Sequence, residues 1–212
     1  MLGTQDLWLF IVAGIALNLV PGQDFIFIAS RSASQGVRAG IVASLGVGAG
    51  TLVHIFAAAF GVSAILAASS TAYTVIKVLG GLYLIYLGAG LLLSRRKTPA
   101  TPSKVTQAPL KNIFYQGFLT NALNPKVALF FVAFVPQFIA PGATNIAFSF
   151  LVLGFIFNFN GMIWCFIVAW SSAAAGARLK HNTTLSNLAT RLAGGLFVYF
   201  GLRLLFDASP SN

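Results

Sequence analysis

From Ala39 to Ala68 the chain runs thirty residues without a lysine, arginine, aspartate or glutamate. A hydrocarbon layer of about 30 Å is crossed by about 20 apolar residues in a helix, so this stretch alone is long enough to span a bilayer. Backbone polar groups in lipid must be satisfied internally, which leaves helices or a closed β-barrel. A barrel strand alternates apolar and polar residues over about 10 positions, whereas the apolar runs here are continuous and far longer. They are read as helices. Similar runs recur, and with 58% hydrophobic and only 8% charged residues in 212 there is no room for a sizeable soluble domain. The expected fold is an all-α integral membrane protein with about six transmembrane helices.

The spans are expected at about 7–30, 39–68, 73–93, 113–139, 146–175 and 188–206. The second is rich in glycine (Gly40, Gly46, Gly48, Gly50, Gly61), which lets helix backbones approach closely where dispersion drives association. One shift in composition, from Arg95 through Pro99, Pro102 and Lys104 to Lys111, marks an exposed basic linker over 95–112. It separates two three-helix units, 1–94 and 113–212, within one structural domain. Ten of the thirteen lysines and arginines fall in 31–38, 95–111 and 178–191, loops that alternate crossing places on one face. The positive-inside rule makes that face cytoplasmic and puts both termini outside. It also explains the net charge of +10 better than nucleic-acid binding does, because the bases are scattered among apolar runs. Cys165, the single cysteine, excludes a disulfide framework, a redox pair and a cysteine-rich metal cage, and is read as packing. The first apolar run has no basic residue before it and outlasts a signal-peptide core, so it is read as a retained helix.

The halves resemble each other. Lys77-Val-Leu-Gly80-Gly81-Leu82-Tyr83 aligns with Arg191-Leu-Ala-Gly194-Gly195-Leu196-Phe197 at an offset of 114, Leu45-Gly46 with Leu153-Gly154 at 108, and Pro21 with Pro125 at 104. The order is kept with small insertions. A unit with an odd number of spans enters the membrane in opposite orientations when repeated, which predicts inverted three-helix repeats.

In that alignment two interruptions become equivalent: Asn18-Leu19-Val20-Pro21-Gly22-Gln23-Asp24 in the first span and Asn121-Ala122-Leu123-Asn124-Pro125-Lys126 in the fourth. Each proline frees the carbonyl four residues earlier, that of Leu17 and that of Asn121. A freed carbonyl in lipid costs several kcal/mol unless it faces protein, an ion or water. Both breaks are therefore expected to face inward and to form one site near the middle of the membrane. Asp24 is the one acidic residue inside a span, and an intramembrane charge points to function. It could bind a substrate ammonium, carry a coupling proton or pair with Lys126. Lys126 could hold a carboxylate or snorkel outward. Asn18, Asn121 and Asn124 could bond a ligand or the freed carbonyls. Weaker cavity candidates are His54, read first as a helix-packing hydrogen bond and second as a proton relay, Gln137 beside Pro136, and Asn158 and Asn160, two apart and so on different faces.

The residues so far singled out resemble the LysE/RhtB family of bacterial amino-acid exporters, the homoserine/threonine/leucine-type efflux proteins. The likeness is carried by Leu19-Val20-Pro21-Gly22-Gln23-Asp24 with Ser30-Arg31, Gly36-Val37-Arg38-Ala39-Gly40, Gly80-Gly81-Leu82-Tyr83-Leu84-Ile85-Tyr86-Leu87-Gly88, Gly117-Phe118, Asn121, Asn124-Pro125-Lys126 and Pro136-Gln137-Phe138, and it covers almost the whole chain. The usual first motif is Pro-Gly-Pro; Gln23 stands where the second proline falls, and Asp24 matches the residue that commonly follows. The resemblance implies a six-helix protein of the cell inner membrane that exports amino acids or small derivatives by proton antiport, often as a homodimer. It places functional weight on Pro21, Gly22, Asp24, Asn124, Pro125 and Lys126. No cofactor, metal or catalytic residue is implied. The alternatives are a metal-ion or small-solute channel or exporter, which would want a carboxylate ring or histidine cluster, and, further off, a membrane-embedded enzyme, for which no nucleophile and base stand together in the sequence.

Overall fold

A computed structural model describes residues 3–93, 106–140, 142–175 and 183–206. Most of the expected basic linker and the bases Arg178 and Lys180 lie outside the described residues. The described residues are mostly helical. The first span is two helices, α1 (Leu7–Leu19) and α2 (Gln23–Gln35), bent by 55°. The second is α3 (Val37–Ala57), which passes through a π turn at Ala58–Val62 into α4 (Ser63–Ala68). The third is α5 (Ser70–Leu93). The fourth is again divided, into α6 (Leu110–Ala122) and α7 (Pro125–Leu129), the latter continuing through a π turn at Phe130–Phe134 and a 3-10 turn at Val135–Phe138. The bend here is 44°. The last two are α8 (Ile146–Ala175) and α9 (Thr183–Phe206).

By length and apolar content, three described helices can each cross a membrane, and the two bent pairs bring the number to five. α9 is the sixth expected passage, 24 residues long. It starts a turn earlier than the sequence suggests and runs antiparallel to α5. Glycines set that contact: a Cβ built on Gly88 would lie 2.6 Å from the Gly194 carbonyl oxygen, and one on Gly201 would lie 2.6 Å from that of Gly81. α3 and α6 are held equally close, with Gly50 facing the Phe118 carbonyl and Gly117 facing that of Ala43.

Large apolar side chains point both ways. Phe159, Trp170 and Phe206 are exposed, which in a protein surrounded by hydrocarbon is a lipid-facing surface rather than a liability. Inside, a cluster rich in phenylalanine (Phe10, Phe130, Phe134, Phe138, Phe197, Phe200) fills the end where the chain begins and α7 finishes. A thinner cluster of Ile28, Ala39, Ala43, Val47, Ile113, Val168 and Ala169 fills the end that carries Arg31 and Lys111. These are called below the terminal end and the basic end. At the basic end Arg31 donates to the Thr106 carbonyl at 2.9 Å and to Gln116 Oε1 at 2.8 Å, tying α2 to the start of the fourth span. The two breaks lie between the clusters.

Candidate functional site

Pro21 has no amide hydrogen for the Leu17 carbonyl, so α1 stops and the chain turns through an extended Gly22. Asp24 then falls in the first turn of α2, where the peptide dipoles present their positive end to its carboxylate. In the fourth span Asn124 caps α7: its Oδ1 accepts from the Lys126 amide at 3.0 Å, and Pro125 takes the first helical position, where a missing N–H costs nothing.

These local features bring the breaks into contact. Asn121 Nδ2 donates to Asp24 Oδ2 at 2.9 Å, and Asn124 Nδ2 donates to the same oxygen at 3.1 Å. Thr51 of α3 donates to Asn121 Oδ1 at 3.1 Å, fixing which way that amide faces. Each freed carbonyl meets a basic side chain from another span. The Lys126 ammonium donates to the Leu17 carbonyl at 3.0 Å and to that of Val20 at 3.3 Å. His54 Nε2 lies 2.9 Å from the Asn121 carbonyl, an acceptor only, so that nitrogen carries the hydrogen; the ring stacks on Phe131 at 6.3 Å. Asp24 and Lys126 are thus neighbours engaged elsewhere. The ion pair seen among the described residues is Arg203 with Asp6, 3.7 Å apart at the terminal end.

Between the breaks, α3 and α8 lies a cavity of about 70 Å³. Its polar lining includes Asn18, Asp24, Thr51, Asn121, Asn124, Lys126, Asn158 and Trp164; Phe25, Ile28, Val47, Met162 and Val168 make the apolar part. Among the described residues three buried side-chain polar atoms have no hydrogen-bond partner: Asn18 Nδ2, Asp24 Oδ1 and Trp164 Nε1. All three residues line this cavity. Orphaned buried groups are costly and rare, and their convergence on one space marks where a ligand or water would complete them.

The structure therefore gathers Asn18, Gly22, Asp24, Asn121, Asn124, Lys126 and Asn158 around one cavity, with Pro21 and Pro125 shaping its walls. His54 stands behind Asn121 rather than on the lining. Asn160 is not on it either, as the two-residue spacing from Asn158 requires. Gln137 lies at the terminal end, where its Nε2 donates to the Ala133 carbonyl at 3.0 Å and its own carbonyl accepts from Gln5 at 2.9 Å. Thr51 and Trp164 were missed as site residues by sequence reasoning. Thr51 had one signal, its position three residues before His54 on the same helix face. Cys165, expected only to pack, also borders the cavity. Among the described residues no three His, Cys, Asp or Glu side chains come together to hold a metal ion.

Several proteins match this chain over nearly their whole length and its own. It is 32% identical over 207 residues to an uncharacterized membrane protein of Pseudomonas aeruginosa, covering 96% of both chains. It is 32% identical over 204 residues to a leucine efflux protein of Enterobacter sp. (strain 638), covering 95% of this chain and 96% of the relative. Against a leucine efflux protein of Salmonella typhimurium the figures are 29% over 202 residues and 95% of each. No solved structure matches. The model of the LysE type translocator family matches residues 15–208, breaks and cavity included, and the chain belongs to that family.

Proposed function

We propose that this protein exports amino acids or small amino-acid derivatives across the bacterial inner membrane in exchange for protons, with Asp24 holding in turn the proton and the substrate ammonium. One observation carries this reading. Two amide donors fix Asp24 Oδ2, while Oδ1 is buried and unpartnered on a side chain that lines a cavity between two broken helices. A carboxylate so placed can accept a proton or an ammonium but cannot comfortably remain empty. Relatives over nearly the whole chain include leucine efflux proteins, which supports an amino acid as cargo.

A cavity of about 70 Å³ has room for a few waters and not for a closed-in amino acid. Loading and release then require the walls to part, by rocking of the units 1–94 and 113–212 about the breaks. Proton uptake at Asp24 from the outer side releases the ammonium outward; proton loss to the cytoplasm readies the site for the next substrate. The basic loops 31–38, 95–111 and 178–191 face the cytoplasm in this scheme.

The test is Asp24→Asn in proteoliposomes loaded with labelled leucine. Wild type should show leucine flux that rises at least tenfold with an imposed pH gradient and collapses with an uncoupler; the variant should show no response to the gradient. Equal rates and equal pH dependence in the two proteins would sink the assignment.

A further inference from the structure

We infer that the cavity recognises both charged ends of an α-amino acid, with the ammonium at Asp24 Oδ1 and the carboxylate on the indole N–H of Trp164 and the side-chain amide of Asn18. The inference rests on the exporter reading and names what that site selects. Lys126, the obvious cation for a carboxylate, has two of its three donors on the Leu17 and Val20 carbonyls. The fully buried lining atoms with no partner at all are one charged acceptor, Asp24 Oδ1, and two neutral donors, Asn18 Nδ2 and Trp164 Nε1. That set is the complement of a zwitterion.

The placement agrees. Asn18 lies against Gly161 of α8, where an added Cβ would sit 3.3 Å from Nδ2. Trp164 is three residues further along α8 and so on the same helix face. The two donors share one strip of α8, and Asp24 enters the same cavity from the first turn of α2. Beyond them Phe25, Ile28, Val47, Met162 and Val168 offer no polar side chain, which suits an aliphatic substituent. The Met162 sulfur fills the space that a Cβ on Gly48 would take. The substrate class is amino acids with an apolar side chain, a free ammonium and a free carboxylate; amides, amines and keto acids are rejected, because each leaves one end of the site unpaired.

The experiment is counterflow of labelled leucine into proteoliposomes of the full-length protein, competed by leucine, by leucinamide, which lacks the carboxylate, and by 4-methyl-2-oxopentanoate, which lacks the ammonium. Wild type should be inhibited by leucine at concentrations at least tenfold below those of the other two. Trp164→Phe should raise the half-inhibiting leucine concentration about tenfold, the scale of one hydrogen bond to a charged group, and leave that of leucinamide unchanged. Asn18→Ala carries the same expectation from a different helix, so misfolding of one variant does not shelter the inference. Leucinamide competing as well as leucine in wild type, or unaltered leucine competition in both variants, would overturn the carboxylate assignment and leave the exporter reading standing. No counterflow of leucine or any other amino acid in wild type would overturn both.

Discussion

At the level of single residues, Lys126 and His54 answer the same demand. A proline in each broken span strips one carbonyl of its helical partner, and a base from elsewhere supplies the hydrogen. Removing that donor takes away one of the carbonyl's hydrogen bonds, since Leu17 also accepts from the Val20 amide at 3.3 Å and Asn121 from the Asn124 amide at 2.8 Å, at about 0.5–3 kcal/mol. Lys126→Met, which keeps most of the stem but abandons two carbonyls, should destabilise the protein by about 2 kcal/mol. His54→Phe, which keeps the stacking on Phe131 and abandons one carbonyl that also accepts from the Asn124 amide, should cost about 1 kcal/mol. Thermal unfolding of both variants in the same detergent checks the order; a more stable Lys126→Met would show the ammonium to be a burden rather than a cap. The sequence made half of this readable. Pro21 and Pro125 identify which carbonyls lose partners, and Asp24 declares itself as a charge within a span. What no spacing reveals is who answers, since Leu17 and Lys126 are 109 residues apart, His54 and Asn121 are 67 apart, and a lysine stem reaches several ways. Trp164 was hidden for another reason: in an apolar span an indole looks like packing until its N–H is seen to have no partner.

At the level of elements, the helices and both breaks were legible because they rest on long apolar runs and on proline, signals that lipid makes nearly binding. The π turns at 58–62 and 130–134 were not, because Ala-Ala-Phe-Gly-Val and Phe-Phe-Val-Ala-Phe are ordinary helical text, and the extra residue per turn is a product of packing. Helix pairing was partly legible. Glycine enrichment announces close approach but not which glycine does the work, and α5 separates the two cases within one turn. At Gly88 an added methyl would lie 2.6 Å from the Gly194 carbonyl and 2.8 Å from the Val198 amide, whereas at Gly90 nothing lies within 4 Å. Gly88→Ala must therefore push α9 away and should cost about 1–3 kcal/mol as overpacking. Gly90→Ala should be neutral or stabilising by up to about 1 kcal/mol, since alanine suits a helix better than glycine. Unfolding midpoints of the two single variants should move in opposite directions or differ by that sum; equal shifts would mean that α5 and α9 are not apposed through Gly88.

At the level of the whole molecule, the two sides of the cavity are closed differently. Toward the basic end its walls run on through Phe25, Ile28, Cys165 and Val168. Toward the terminal end stand the phenylalanines, with Phe134 touching Phe10, Phe130, Phe138 and Phe200 at ring separations of 4.9 to 6.5 Å. Above them residues 3–5 act as a strap. Gln5 donates to the Phe138 carbonyl and Ala140 to that of Gly3, each at 2.9 Å, so that Thr4 and Ile139 form an antiparallel bridge. If export delivers its substrate at the terminal end, this bridge and the packing beneath it must separate once per cycle. Thr4 and Ile139 are opposed between those two hydrogen bonds, the narrow kind of pair with Cα atoms about 4.5 Å apart, inside the range a disulfide spans. In a Cys165→Ser background, which leaves no competing thiol, Thr4→Cys with Ile139→Cys should cross-link under mild oxidation and reduce leucine efflux at least tenfold. A thiol reductant should restore the flux and have no effect on the parent. The oxidised protein should still bind leucine presented at the basic end, measured as ligand-induced thermal stabilisation, which separates a locked exit from a damaged site. Wild-type efflux from the fully cross-linked protein would place the exit elsewhere and leave the strap a merely structural clasp.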